Sequence, residues 1–121
     1  MPILDVELVV DPAEALQTNL AQRIADSTAP ILDVPAARVW VKLRTLARAA
    51  YAENEVEPGS TSPVFVKMLQ RSPPRGAELQ QEIDELTRAI AYEVGRGPDC
   101  VHLFYEPPAA GRVAFGGRLV E

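Results

Sequence analysis

The sequence predicts an α+β fold in which two fused β-α-β units form one four-stranded mixed sheet, with two helices on one face. The order strand, helix, strand occurs twice along the 121 residues, and a polar, turn-forming segment at 57–62 separates the two copies. The copies also keep a nearly constant spacing, since Pro63 follows Pro2 by 61 residues and Val101 follows Val39 by 62. We therefore predict a single domain over 1–121, with pseudo-repeats at about 2–58 and 63–121.

The first unit begins with a strand at 3–10, whose β-branched residues are typical of a covered sheet. Asp11-Pro12 has the pattern of a helix start, and apolar residues at helical spacing after it predict a helix that ends near Thr28. Pro30 and Pro35 bracket the predicted connector. The second strand is predicted at 38–46, where apolar and polar residues alternate.

The second unit repeats this order. A strand is predicted at 63–69 and the last strand at 100–105. The helix between them is predicted at 77–94, where the glycines 95 and 97 can end it in the left-handed conformation. A glycine-rich tail at 111–119 closes the chain. Right-handed crossovers place both helices on one face of the sheet, so the other face is left bare. We expect that face to be rich in Val, Leu and Phe, and to be covered by copies of the same chain.

Composition excludes several classes of protein. The net charge of −5 argues against a nucleic-acid partner, which would require a basic surface. No apolar stretch approaches the roughly 20 residues that span a membrane, and the N-terminus lacks the layout of a signal peptide. A single cysteine, Cys100, fits a reducing compartment, so we expect a cytoplasmic protein. No phosphate loop, dinucleotide fingerprint or metal-ligand cluster occurs, so we expect neither metal nor cofactor.

Pro2 directly follows Met1 at the head of the first strand. If Met1 is removed, Pro2 becomes a secondary amine, and an α-amino group titrates at about 7.7–8.0, close to what a general base needs. The alternative is that proline is merely tolerated at the first residue of a strand. Pro63 holds the corresponding place in the second unit, but its internal nitrogen is an amide without basicity.

An N-terminal proline on a short strand, a β-α-β repeat of about 60 residues and the tail at 106–117 together resemble the tautomerase superfamily. That superfamily includes 4-oxalocrotonate tautomerase, macrophage migration inhibitory factor, malonate semialdehyde decarboxylase and the 3-chloroacrylic acid dehalogenases. The tail is similar to that of the 4-oxalocrotonate tautomerase subunit, and the resemblance covers nearly the whole chain. It implies a homotrimer without a cofactor that acts on a small carboxylate substrate at sites near subunit boundaries.

The resemblance implies that Pro2 is the catalytic base, or a charged acid in the hydrolytic branch of the superfamily. It places two cations, Arg71 and Arg75, after the strand that begins at Pro63, where a guanidinium can bind a carboxylate in a bidentate fork. Positioned positive charge would also stabilise the enolate that forms during proton transfer.

Trp40 stands where 4-oxalocrotonate tautomerase has a second arginine, so Arg38 or Lys42 on the same strand would have to replace it. Val34 stands at the nearest match to a lysine of macrophage migration inhibitory factor. Tyr51 falls at an aromatic position that lines the pocket of the relatives. We expect Trp40, Tyr51 and the tail residue Phe115 to shape the pocket.

The function expected from these residues is 1,3-proton transfer in a 2-oxo acid or a 2-hydroxy-dienoate. Hydration, dehalogenation or decarboxylation of a three-carbon acid is the alternative, and it needs a group such as Glu53, Asp33 or Glu106 to activate water. A third reading, a binding module without catalysis, is supported by the missing second-strand arginine.

Overall fold

A four-stranded sheet with strand order β2-β1-β3-β4 forms the centre of the computed structural model, which describes residues 2–121. The removal of Met1, on which the predicted base depends, concerns a residue outside this range. β1 is parallel to β2 and β3 is parallel to β4, whereas β1 and β3 are antiparallel at the centre of the sheet. The elements are β1 (Ile3–Val10), α1 (Leu20–Leu32), β2 (Trp40–Ala47), β3 (Val64–Leu69), α2 (Gly76–Val94), β4 (Val101–Tyr105), β5 (Ala114–Phe115) and β6 (Arg118–Leu119).

The core lies between this sheet and the two helices. Alternate residues of the central strands point to the helices, and those on β1 and β3 are fully or almost fully buried. Burial of an apolar side chain of this size contributes about 1.5–3 kcal/mol, so these positions dominate the stability of the sheet. They are Leu4, Val6 and Leu8 on β1, Val64, Val66 and Met68 on β3, Ile24 on α1, and Leu86 and Ile90 on α2.

The predicted start of the first helix at Asp11-Pro12 is wrong, because α1 begins at Leu20 and ends at Leu32. Residues 11–19 are all exposed and therefore bury no apolar stripe that could hold a helix in place. Asn19, in the left-handed conformation with φ 62°, separates them from α1. Pro30, predicted to lie in the connector, is in the last turn of α1, where its missing N–H removes only one helical hydrogen bond.

The face of the sheet opposite the helices is not the apolar surface that the sequence predicts. The pairing register turns most Val and Leu side chains toward the helices, and leaves a charged band across β1 and β2 on the open face. Arg44 lies 2.6 Å from the Asp5 carboxylate and 3.8 Å from that of Glu7, while Lys42 lies 3.9 Å from Asp5. Aromatic side chains lie on either side of this band, with Trp40 at the start of β2 and, on β3 and β4, Phe65 packed against Phe104 and His102.

The glycine-rich tail forms a small hairpin of β5 and β6. Gly116 and Gly117 connect the two strands with φ of 57° and 84°, the two positive values that a tight turn of type I′ requires. With two β-α-β units, a mixed four-stranded sheet and two helices on one face, the predicted α+β fold class is confirmed. Neither helix in residues 2–121 is long and apolar enough to cross a membrane.

Candidate active site

Pro2 is buried at the head of β1, beside the start of β2. Its carbonyl oxygen accepts a 3.0 Å hydrogen bond from the main-chain nitrogen of Trp40. In an extended strand the N–H and the carbonyl of one residue point to the same side, so the Pro2 ring, whose Cδ takes the place of the amide hydrogen, lies against β2. In this parallel register the backbone of Arg38 lies opposite the Pro2 nitrogen, because Ile3 pairs with Trp40. The start of β1 and the start of β2 are therefore joined at Pro2.

A cavity of about 330 Å³ lies at this corner, lined by Ala37, Arg38, Trp40 and Phe115. The Trp40 and Phe115 rings meet edge to face, with centroids 5.3 Å apart and an interplanar angle of 89°. The indole nitrogen of Trp40 donates a 3.2 Å hydrogen bond to the carbonyl of Ala37, whose φ of 67° turns the chain back toward the ring. Three residues that the sequence predicts for the site thus lie together next to Pro2.

The tail reaches this corner because its first residues are fastened to the segment that follows β3. The main-chain nitrogen of Ala109, a fully buried residue, donates to the carbonyl of Gln70 at 2.9 Å, and that of Ala110 donates to Arg71 at 3.3 Å. The Arg71 guanidinium in turn donates to the main-chain carbonyl of Glu121. Arg71, predicted as a substrate-binding cation, therefore holds the tail that carries Phe115.

Two further residues predicted for the site lie apart from the cavity. Arg75, the residue that precedes α2, is exposed. Tyr51 follows β2 at its opposite end, and eight residues of strand separate the two ends of β2 by roughly 23 Å. The Tyr51 hydroxyl donates a 2.5 Å hydrogen bond to Glu53, and the ring packs against Phe65 at 5.9 Å. Within one chain, Tyr51 does not reach Pro2.

The Tyr51–Glu53 pair is a local electrostatic cluster on half-buried residues. Glu53 also accepts a 2.9 Å hydrogen bond from the hydroxyl of Thr61. The hydrogen bond from Tyr51, followed by that from Thr61, lowers the pKa of Glu53 below its ordinary value. The same bond raises the pKa of the Tyr51 hydroxyl, with a smaller contribution from burial. The Glu53 carboxylate, held as an anion by these two hydrogen bonds, links Tyr51 to Thr61.

A second cavity, of about 340 Å³, opens on the charged face of the sheet next to Ile3. Three cations line it, Lys42 on β2, Lys67 on β3 and Arg112 in the tail. Arg112 is fixed by donating to the carbonyls of Pro107 and Pro108 at 3.3 and 3.0 Å. Sequence reasoning missed Lys67 and Arg112, because only the pairing of β3 with β1 and the path of the tail bring them together.

A polar network lies on the helix side of the sheet, close to the head of β1. Glu82 on α2 accepts hydrogen bonds from the Tyr105 hydroxyl at 2.6 Å and from the Gln70 amide nitrogen at 3.3 Å. Burial, followed by the hydrogen bond to Glu82, raises the pKa of Tyr105 far above its ordinary value. Gln70 Oε1 is a buried acceptor with no hydrogen-bond partner within residues 2–121. A cavity of about 480 Å³ beside the network is lined by Asp33, Gln70, Glu78, Glu82 and Glu85, among other residues.

Solved structures show that the fold is the one shared by macrophage migration inhibitory factor and fused 4-OT proteins. Macrophage migration inhibitory factor from Trichinella spiralis aligns with a TM-score of 0.70 and 11% identity, over 96% of this chain and 97% of that one. A fused 4-OT protein, solved as an asymmetric trimer, aligns with a TM-score of 0.72 and 16% identity, over 95% and 94% of the two chains.

A malonate semialdehyde decarboxylase, solved with the inhibitor 3-bromopropiolate, has a TM-score of 0.67 at 17% identity and covers 94% of this chain and 88% of its own. At the level of sequence, no protein-family model and no curated protein matches the chain. The resemblance to the tautomerase superfamily is therefore confirmed as a resemblance of fold. Since the three solved structures include proteins named for different activities, fold alone leaves the reaction to be argued from the site.

Proposed function

We propose that this chain is a cofactor-independent tautomerase in which Pro2, freed by removal of Met1, transfers a proton between carbon and oxygen of a 2-oxo acid or 2-hydroxy-dienoate. The observation that carries the proposal is the burial of Pro2 against β2, with the cavity of Arg38, Trp40 and Phe115 at its side. A secondary amine at this place takes the proton when the O–H or C–H bond breaks, and returns it to the other end of the conjugated system. Its ordinary pKa near 8 suits this exchange at neutral pH.

Arg38 is the cation best placed to hold the substrate carboxylate and the developing enolate charge. The Trp40 and Phe115 rings form the apolar wall that keeps water from the dienolate. Arg71 supports this wall through the tail, because it bonds the carbonyl of Glu121. Arg75, exposed before α2 and apart from the cavity of its own chain, is proposed as a second cation that reaches the substrate from a neighbouring subunit.

The proposed active form is a homotrimer. In support, two fused 4-OT proteins of the same fold were solved as trimers, one asymmetric and one symmetric. Tyr51 lies at the far end of β2 from its own Pro2, so it contributes to a pocket only when a neighbouring subunit brings the two ends together. A single polypeptide would therefore supply Pro2 and Tyr51 to different sites. The expected setting is the cytoplasm, with a small carboxylate as substrate.

Hydration or decarboxylation of a short acid is the second candidate, and a specific observation favours it. Four carboxylates, of Asp33, Glu78, Glu82 and Glu85, line the cavity on the helix side of the sheet, and negative charge close to an amine keeps it protonated. A protonated Pro2 would act as an acid, with one of these carboxylates activating water. The similarity to a malonate semialdehyde decarboxylase agrees with such chemistry.

The test compares wild type with Pro2→Ala in the ketonisation of phenylenolpyruvate and 2-hydroxymuconate. Pro2→Ala replaces the secondary amine held by the ring with a primary amine on a less constrained residue, so the base is displaced and kcat/KM should fall by about 10²–10⁴. Pro63→Ala is the matched control, because Pro63 starts β3 as Pro2 starts β1, yet its nitrogen is an amide and its carbonyl is retained. Wild-type activity that is absent, or unchanged in Pro2→Ala, contradicts the proposal. Release of carbon dioxide from malonate semialdehyde, or of chloride from 3-chloroacrylates, would favour the second candidate.

A further inference from the structure

Gln70 lies directly after β3 and has no role in the proposed mechanism. The antiparallel pairing of β1 with β3 ends at Ile3 and Leu69, so the same register continued by one residue sets Pro2 opposite Gln70. Residues opposite one another in an antiparallel pair have Cβ atoms about 4.5–5.5 Å apart. Both residues lie on the helix side of the sheet, since they alternate with Ile3 and Leu69, and both are buried.

The Gln70 side chain presents an acceptor that has no partner in the described part of the chain. It is 8% exposed, its amide nitrogen donates to Glu82 at 3.3 Å, and its carbonyl oxygen Oε1 has no partner within the described residues 2–121. Buried polar groups are nearly always hydrogen-bonded, so an unsatisfied one calls for an explanation. The amide orientation is fixed by Glu82, because only the nitrogen can donate to a carboxylate.

Removal of Met1 would create the missing donor. While Pro2 is joined to Met1, its nitrogen carries no hydrogen. Once Met1 is removed, the protonated amine carries two, at the residue that lies opposite Gln70. We infer that Gln70 is a positioning residue, whose Oε1 accepts a hydrogen bond from the Pro2 ammonium and thereby sets the amine's direction and basicity. The inference rests on the proposed function, since it names the group that tunes the proposed base.

The network behind Gln70 explains why its amide would hold one orientation. Glu82 receives Gln70 on one oxygen and the Tyr105 hydroxyl on the other, so the carboxylate is fixed from both β3 and β4 sides. The other charged groups around this corner are Arg38 before β2, Arg71 after β3, Asp33 at the end of α1, and Glu78 and Glu85 on α2. These groups contribute charge to the corner that holds Pro2. Within residues 2–121, Gln70 is the residue that offers the Pro2 amine a buried, unfilled acceptor.

The test is a ¹⁵N NMR titration of the Pro2 amine in proline-labelled protein, because this is the one proline nitrogen that can titrate. Gln70→Met keeps the volume, removes the acceptor and should lower the pKa of Pro2 by about one unit, whereas Gln70→Glu places a stronger acceptor there and should raise it. Gln81→Met is the matched control. Gln81 lines the same cavity but bonds to Glu85 at 3.1 Å, so its replacement should leave the Pro2 titration unchanged.

The kinetic counterpart separates this inference from the proposed function. In Gln70→Met the acidic limb of the kcat/KM profile should move with the NMR value, with kcat reduced up to about tenfold and KM within twofold of wild type. A Pro2 pKa that moves with Gln70 in a protein without tautomerase activity supports the positioning role and overturns the function. Tautomerase activity that requires Pro2, with the same Pro2 pKa in wild type, Gln70→Met and Gln70→Glu, overturns the positioning role alone. Retained Met1 overturns both.

Discussion

The main-chain nitrogen of Trp40 lies 3.0 Å from the carbonyl oxygen of Pro2, so the first residue of β2 is bonded to the residue before β1. This bond fixes the distance between the proposed base and the wall of its pocket through backbone atoms rather than through flexible side chains. The edge-to-face contact of Trp40 with Phe115 then fixes the tail to the same corner. Base, cation and wall are held by three separate parts of the chain.

Replacing Arg38 should weaken substrate binding. Arg38→Met removes the guanidinium from the cavity and should raise KM for a carboxylate substrate by about 10–100-fold, the effect of losing a charged hydrogen bond. Arg38→Lys keeps the charge without the bidentate fork and should give an intermediate value. Steady-state kinetics at fixed ionic strength measures this. Arg88→Met, on the exposed surface of α2, is the control, and an equal effect of both methionine variants would contradict the assignment.

Replacing Phe115 should open the pocket to water. Phe115→Leu removes the edge-to-face contact with Trp40, which is worth about 0.5–1.5 kcal/mol, and should lower kcat/KM by about three- to tenfold. The matched control is Phe104→Leu, because Phe104 is a half-exposed aromatic on β4 that lies outside the cavity. Steady-state kinetics gives kcat/KM for the two variants, and Phe115→Leu should show the larger loss. A larger loss from Phe104→Leu would place the pocket at the β3–β4 side of the sheet instead.

The Tyr51–Glu53 hydrogen bond predicts a dependence of stability on pH. Because the folded-state pKa of Glu53 is lowered from the ordinary 4.5, its stabilisation is complete above that pH and is lost as the pH falls through the folded value. Tyr51→Phe should therefore be less stable than wild type near neutral pH, with a difference that shrinks below pH 4.5. Chemical denaturation across this range measures the difference.

The control for this titration is Tyr92→Phe, since the Tyr92 side chain is 80% exposed on α2. Its difference from wild type should be small and independent of pH. A gap between wild type and Tyr51→Phe that stays constant or widens below pH 4.5 would show that the hydrogen bond is not formed in the folded protein.

The left-handed backbone at Ala37 predicts that a change to glycine does not lower the free energy of unfolding, whereas a change from alanine to glycine usually does. Ala37 has φ 67°, a left-handed conformation that costs a residue with a side chain roughly 1–2 kcal/mol. Ala37→Gly should therefore leave the free energy of unfolding unchanged or raise it by up to about 1 kcal/mol. Ala36→Gly, at the exposed neighbour without this conformation, should lower it by about 0.5–1 kcal/mol. Destabilisation of equal size in both would contradict the conformation at Ala37.

The sequence predicts the strands and the second helix closely, because their apolar periodicity is also what the core uses. Leu86 and Ile90, four residues apart and therefore on one face of α2, are both fully buried. The first helix was misplaced because Asp11-Pro12 has the local pattern of a helix start, whereas only burial decides whether the pattern is used. The start at Leu20 depends on packing against α2, a contact that local sequence does not encode.

The candidate site could be predicted only in part for a similar reason. Arg38 and Trp40 are close to Pro2 through a parallel pairing that the β-α-β pattern predicts. Phe115 was expected from the resemblance of the tail. Gln70 could not be predicted as a partner of Pro2, because its position depends on the exact register between β1 and β3. Arg71 had the signature of a substrate-binding residue, yet the folded tail takes up its guanidinium.

The central claim is that Pro2 carries a free secondary amine at the end of the chain. Intact-protein mass spectrometry of the purified protein tests this most directly, together with the Pro2→Ala assay on the same preparation. The account predicts a mass lower than that of the 121-residue sequence by one methionine residue. A mass that retains Met1 would make the nitrogen of Pro2 an amide, and would contradict the proposed base.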